Sequence, residues 1–391
     1  MTKVFTNCSI FNGETFIGNR AVVVEGSKII KVVHKSNLTG YNNITDLKGA
    51  LLVPGFIDLQ VNGGGGAFYT QEASIDNYIA ANKAHLGFGT TALLPTLIST
   101  SLDNIIAQCA VGKELMKDPK NGVLGIHVEG PFFNPEKKGA HSLDFVREAT
   151  DYEIEKIIEA GRGVIKLFTC APEVVSTKHI KMLVEAGIPV SAGHSNCTYE
   201  QAMNAFEAGV TKVTHLYNAM SQFTSRAPGL VGAFLDSNDK VYGGIIVDGI
   251  HCDYAALRIA QKAKREKLFL VSDASFVKHP VDSFEIDEFK IFFKDGMYLT
   301  ETGNLAGSAV SMLDSVQNCF NEANIELAET LKMSSRYPAE FMGIDNEYGY
   351  IKKGYYADFV VLERDTLKLL DVYKCGEQME VDELITTKST L

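Results

Sequence analysis

Residues 188–218 read IPVSAGHSNCTYEQAMNAFEAGVTKVTHLYN, and the rest of the chain can be laid out from them. IPVSAGHS and KVTHLYN are short apolar runs of strand length. Between them, Tyr199 to Ala208 has the spacing of an amphipathic helix. Strand, helix and strand in succession make one right-handed βαβ unit of a parallel sheet. Each run ends on a histidine, His194 in the first and His215 in the second.

The same alternation extends in both directions. Strand candidates are LLVPGFIDLQV, TALLPTL, GVLGIHVEG and VIKLFTCAP upstream, and VYGGIIVDG and LFLVSDAS downstream. Further helical segments fall at Ile75 to Leu86, Leu102 to Met116, Ser176 to Ala186 and Tyr254 to Lys264. Eight strands alternating with helices predict an α/β chain folded as a (β/α)8 TIM-type barrel. An open doubly wound sheet is the competing layout. It loses its commonest support because no GxGxxG stands at a strand-to-helix turn.

Outside this region the chain changes character. Residues 3–53 carry β-branched runs (VFTNCSIF, AVVVEG, KIIKVV) separated by turn signals such as Asn12-Gly13. Tyr350 to Leu370 looks similar. Neither piece can close a core alone, so the two termini are expected to pair. The division expected is 1–53 with 347–391 as a small β-domain and 54–346 as the barrel.

The bulk composition sets limits. A net charge of −11 argues against nucleic acid as a partner, which needs clustered Lys and Arg. The start, MTKVFTNCSIFNG, has no long apolar run, so neither a signal peptide nor a membrane partner is expected. Seven scattered cysteines without a CxxC suit reduced thiols and a cytoplasmic protein.

The polar residues at the strand ends carry the functional reading. Asp58 and Gln60, Glu129, His194, His215, Asp248 and Asp273 all fall there, and in a barrel these ends meet at the catalytic face. Taken singly, Glu129 reads as an exposed carboxylate, each His as a packing residue, and Asp273 equally as a helix cap. Together, Glu129, His194 and His215 offer three ligands for a divalent ion with one position left open. Such an ion lowers the pKa of water and polarises a carbonyl. Asp273 beside it has the placement of a general base that later serves as an acid. His127, two residues before Glu129, shares its strand face and suits either a supporting bond or packing.

GFIDLQVNG, HVEGPFFN, KKGAHS, GHSNCTY, THLYNAM, VDGIHCD, VSDAS and LAGS occur in this order along nearly the whole chain. In them the sequence closely resembles the N-acetylglucosamine-6-phosphate deacetylases of the amidohydrolase superfamily. The resemblance implies a barrel with a small β-sandwich built from both termini. It implies that Glu129, His194 and His215 hold the metal and that Asp273 is the acid/base. Substrate contacts carry over to His141, Asn218, Ala219, Arg226, His251 and Leu305. His141 would touch the acetyl carbonyl. Asn218, the Ala219 amide and Arg226 would hold the phosphate. His251 would reach sugar and phosphate oxygens of its own subunit or of a homodimer partner.

One departure matters. Many amidohydrolases carry His-x-His after the first barrel strand for a second metal. Here Gln60 and Asn62 stand in those places, and neutral amides are poor zinc ligands. One divalent ion per subunit is therefore expected. Zn²⁺ suits the donor set, and Fe²⁺, Co²⁺ or Mn²⁺ can serve; Gln60 would bond to the metal water or make an outer contact. The expected reaction is hydrolysis of the N-acetyl group of N-acetylglucosamine 6-phosphate, a small-molecule substrate, to acetate and glucosamine 6-phosphate. N-acetylgalactosamine 6-phosphate remains an alternative substrate. KKGAHS, THLYNAM and SRAPG speak against dihydroorotases and deaminases. A non-catalytic sugar-phosphate-binding barrel would be favoured only if one of the four central residues were missing.

Overall fold

The computed structural model describes residues 2–277 and 281–380. Eight parallel strands form one sheet in sequence order: β1 (Phe56–Val61), β2 (Thr90–Leu97), β3 (Ile126–Glu129), β4 (Ile165–Cys170), β5 (Val190–Ala192), β6 (Val210–Val213), β7 (Tyr242–Ile245) and β8 (Leu268–Leu270). A helix follows each, from Ile75–Leu86 after β1 to Met312–Asn321 after β8. The ring closes where Val61 and Ala274 form a parallel bridge and the Asp273 amide donates to the Gln60 carbonyl at 2.9 Å. The expected (β/α)8 barrel is the fold.

Local chemistry explains the helix ends. Ser101, Thr150, Ser176 and Thr198 each accept a backbone amide of the following first turn. Thr198 and Gln201 complete a reciprocal capping box, which satisfies amides that the helix itself leaves unpaired. Helices Ile75–Leu86, Tyr199–Ala208 and Tyr254–Lys264 have the limits the sequence indicates.

The terminal segments build two facing sheets. One has four strands, in the order Lys28–His34, Arg20–Glu25, Thr2–Thr6, Ile44–Asp46. The other has six, with Phe359–Leu362 from the far end of the chain paired antiparallel to Leu51–Pro54. Phe5, Val22, Val24 and Ile29 pack with Ile10, Leu52, Phe359 and Tyr373 into one core between them. Phe5 lies edge-on to Phe359 and Tyr373, a favoured aromatic geometry, with centroids 5.3 and 4.7 Å apart. Residues 381–391, the end of the expected second terminal segment, lie outside the described residues.

Two elements differ from the sequence reading. The run LLVPGFIDLQV is two strands, one in each layer, broken at Gly55. The Gly55 amide donates to Asp358 of the sandwich, and the next amide, of Phe56, donates to Gly89 of the barrel. A three-stranded antiparallel sheet, Ser283–Ile286, Phe289–Lys294 and Met297–Thr300, also stands after β8. Its hairpin signal was present in the sequence as Asp295-Gly296. Both residues have positive φ, 51° and 81°, as the twist of a tight hairpin requires.

A Cβ on Gly55 would lie 2.0 Å from the Thr91 Oγ1. Gly55→Ala should therefore destabilise the protein by about 1–3 kcal/mol, read as a lower thermal midpoint. An unchanged midpoint would show that the junction can open without cost.

Candidate active site

The C-terminal ends of the barrel strands surround a cavity of about 430 Å³. Glu129 is the last residue of β3, and His194 and His215 stand two residues beyond β5 and β6. Asp273 stands three beyond β8. His194, His215 and Asp273 all have positive φ (49°, 29° and 51°), as do Tyr217 and Ala219. Such backbone is costly for non-glycine residues and gathers at functional sites. Here it turns each side chain inward at the end of its strand.

Glu129 Oε1 lies 3.4 Å from His194 Nε2 and 3.2 Å from His215 Nε2, and the two nitrogens are 3.0 Å apart. Tetrahedral coordination with bonds of about 2.0–2.1 Å places neighbouring donor atoms about 3.3–3.4 Å apart. The triangle therefore has the size of one divalent ion's ligand set. His194 Nδ1 lies 2.9 Å from the Lys137 carbonyl, which can only accept. The ring proton thus sits on Nδ1, and the Nε2 lone pair faces the triangle. Phe133 stacks on the same ring at 4.3 Å. In the ion-free site burial works to raise the Glu129 carboxyl, but the His194 and His215 rings beside it, once protonated, hold it well below its ordinary range.

His141 also approaches, with ligating atoms of Glu129, His141 and His194 all within 4.8 Å of one another. The Ser99 amide, however, donates to His141 Nδ1 at 3.0 Å. A neutral His141 then carries its proton on Nε2 and is a donor, not a metal ligand. Burial keeps it neutral, pushing its pKa well below the usual histidine value.

Gln60 Nε2 donates to both Glu129 Oε1 (2.9 Å) and Asp273 Oδ1 (3.1 Å), and Asn62 Nδ2 donates to Asp273 Oδ1 at 2.8 Å. The two amides that replace the His-x-His pair thus tie the site's carboxylates in place. Burial and then the Glu129 charge raise the Asp273 carboxyl, while the His215 charge and then the Asn62 bond oppose them.

The structure brings Asn218, Ala219, His251 and Leu305 to the cavity wall with His141, Glu129, His194 and Asp273. His251 is oriented by Asp248, whose Oδ2 lies 2.6 Å from His251 Nδ1. Arg226 is exposed and does not line the cavity. His127 turns to Thr96 and Thr169, at 3.2 and 2.7 Å, within the barrel. Sequence reasoning left four contributing residues without a role. Ser99 orients His141, Asn62 holds Asp273, and Ile286 and Ile291 of the three-stranded sheet close the outer wall. Asn62 was legible from its parity with Gln60. Ser99 meets His141 Nδ1 with both its amide and its hydroxyl, and nothing local in the sequence links it to His141.

A barrel with this cluster and a buried aspartate at its C-terminal mouth defines a class, the hydrolytic (β/α)8 enzymes built to hold a divalent ion. The family model described as Amidohydrolase family matches residues 51–386, and the NagA composite domain matches residues 4–52. N-acetylglucosamine-6-phosphate deacetylase of Haemophilus influenzae is 38% identical over 92% of this chain and 95% of its own. N-acetylgalactosamine-6-phosphate deacetylase of a Shewanella species is 39% identical over 85% of this chain and 84% of its own. The crystal structure of N-acetylglucosamine-6-phosphate deacetylase from Pasteurella multocida superposes with a TM-score of 0.93 at 36% identity, covering 97% of this chain and all of the other. The chain belongs to the amidohydrolase family and, within it, to the N-acetylglucosamine-6-phosphate deacetylases.

Removing the Asn62 donor should weaken the opposition to burial and Glu129 at Asp273, leaving the His215 ring and the Gln60 bond to favour the anion. In metal-free Asn62→Ala, the Asp273 carboxyl should titrate at higher pH than in the parent, followed by its carboxyl-carbon chemical shift. A titration at the same or lower pH would mean the bond does not stabilise the anion.

Proposed function

We propose that this protein hydrolyses the N-acetyl group of N-acetylglucosamine 6-phosphate, releasing acetate and glucosamine 6-phosphate. The observation that carries this reading is the set of donors around one point: a ligand triangle, an N–H donor on His141 and the Asp273 carboxylate. The kinship with named deacetylases supplies the substrate class.

Glu129, His194 and His215 are the proposed ligands of one divalent ion per chain, with Zn²⁺ the first choice for an oxygen and two nitrogens. Bound there, the ion supplies Lewis acidity toward the acetyl carbonyl and acidifies water. Asp273 takes a proton from the attacking water on its carboxylate oxygen. His141 Nε2–H donates to the carbonyl oxygen as negative charge builds on it. The C–N bond breaks as Asp273 passes its proton to the amine nitrogen. Gln60 and Asn62 hold the carboxylate in line. Asn218, the Ala219 amide and His251 bind the sugar phosphate, which orients the amide bond from a distance.

A homodimer suits the exposed loop that carries Phe223, 61% exposed, beside Arg226. In the assembly Arg226 would add its forked donors to the phosphate contacts. The cytoplasm suits seven cysteines that are all free. No helix among the described residues is long and apolar enough to cross a membrane. N-acetylgalactosamine 6-phosphate is the second reading, favoured by kinship with the Shewanella enzyme.

Acetate release should be rapid with N-acetylglucosamine 6-phosphate, lost with a chelator and restored by Zn²⁺. Asp273→Asn should retain the ion yet lose turnover by several orders of magnitude. A fully metallated protein inactive on this sugar but active on its galactosamine isomer would move the assignment to the second reading.

A further inference from the structure

Lys212 lies inside the barrel, on β6, three residues before His215. Its neighbours across the sheet are Ser191 and Tyr242. The residue is 0% exposed, and its Nζ has no hydrogen-bond partner among the described residues. The Phe269 ring centroid is 5.6 Å away, and a Cβ on Gly244 would lie 3.4 Å from the ammonium. The other enclosed lysines are treated differently. Lys264 donates to the Ser237 and Asn238 carbonyls, and Lys374 is paired with Asp358.

An unpaired ammonium in a barrel core is a cost to folding. Replacing buried charge by an apolar group of similar volume is often neutral or stabilising. Packing therefore gives no reason for a lysine here, where methionine would fill the same space. Electrostatics does. Asp58 on β1, Glu129 on β3 and Asp273 after β8 are the carboxylates whose fields act on Lys212. The imidazoles of His127 and His215 also feel its charge. Burial pushes Lys212 down to about 8, which leaves it cationic at neutral pH. Gln60 and Asn62 bring no charge to the same strand end.

We infer that the Lys212 ammonium is a built-in countercharge of the catalytic centre, a positioning residue that acts through its field at Glu129 and Asp273 and not by contact. This rests on the assignment of Glu129, His194 and His215 as metal ligands. A fixed cation beneath those ligands weakens their hold on a divalent ion. The same cation favours the anionic form of Asp273 and the negative charge that grows on the acetyl oxygen. Lys212 thereby exchanges metal affinity for turnover.

The test is Lys212→Met, with Lys212→Gln as a second uncharged variant should methionine pack badly. Three quantities are measured: the Zn²⁺ dissociation constant by chelator competition, the thermal midpoint of the metal-free proteins, and kcat and KM separately. The countercharge predicts Zn²⁺ binding tighter by about tenfold, a midpoint unchanged or raised, and kcat about tenfold lower with KM within twofold. A purely structural lysine would lower the midpoint and loosen Zn²⁺ together, and that result would overturn the inference. Unchanged affinity with unchanged kcat would overturn it as well. A parent protein that binds no Zn²⁺ would remove the three-ligand assignment itself, and the countercharge with it.

Discussion

The backbone hydrogen bond from Asp273 to Gln60 closes the barrel between its first and last strands. The rest of the site depends on that seam. Gln60 can reach both Glu129 and Asp273 because its own backbone is fixed against the segment that carries Asp273. Asn62, one step along the pleat on the same face, completes the tie. Two neutral amides thus take over, by hydrogen bonding, the arrangement of carboxylates that a second ion would otherwise impose by charge.

A run of hydrogen bonds crosses the polar floor beneath this seam. Thr96, His127, Thr169, Thr214 and Ser191 run in a continuous chain across β2 to β6, with separations of 2.6–3.2 Å. Buried polar groups are expensive unless paired, and this chain pairs them while keeping the inner ring rigid. Rigidity there supports the left-handed backbone at His194, His215 and Asp273. Each of these residues would relax outward if the strand before it could shift.

Much of the architecture was legible because its signals are local and periodic. The strand-helix alternation and the polar residues ending each strand lie within short windows. The single run LLVPGFIDLQV misled for the same reason, since nothing within it tells which layer each half joins. The divide at Gly55 comes from contacts with Thr91 and Asp358, both distant in sequence. At the site, side-chain identity pointed to Glu129, His194, His215 and Asp273. It could not reveal that His141 is held by the Ser99 amide and hydroxyl, because the two residues meet only through the fold. Nor could it set Arg226 apart from the cavity, which depends on how a loop lies against the barrel.

The outer wall of the cavity is made by a part of the chain that closes no barrel strand. Ile286 and Ile291 belong to the three-stranded sheet, which has its own aromatic core of Phe276, Phe284 and Tyr298. Lys138, from the loop before His141, lies over Phe289 of that sheet at 4.4 Å. The chemistry and the rim are thus separately supported. A lineage could exchange the rim for another of different shape, and so change which sugars are admitted, while the bond-breaking groups stay where the strands put them.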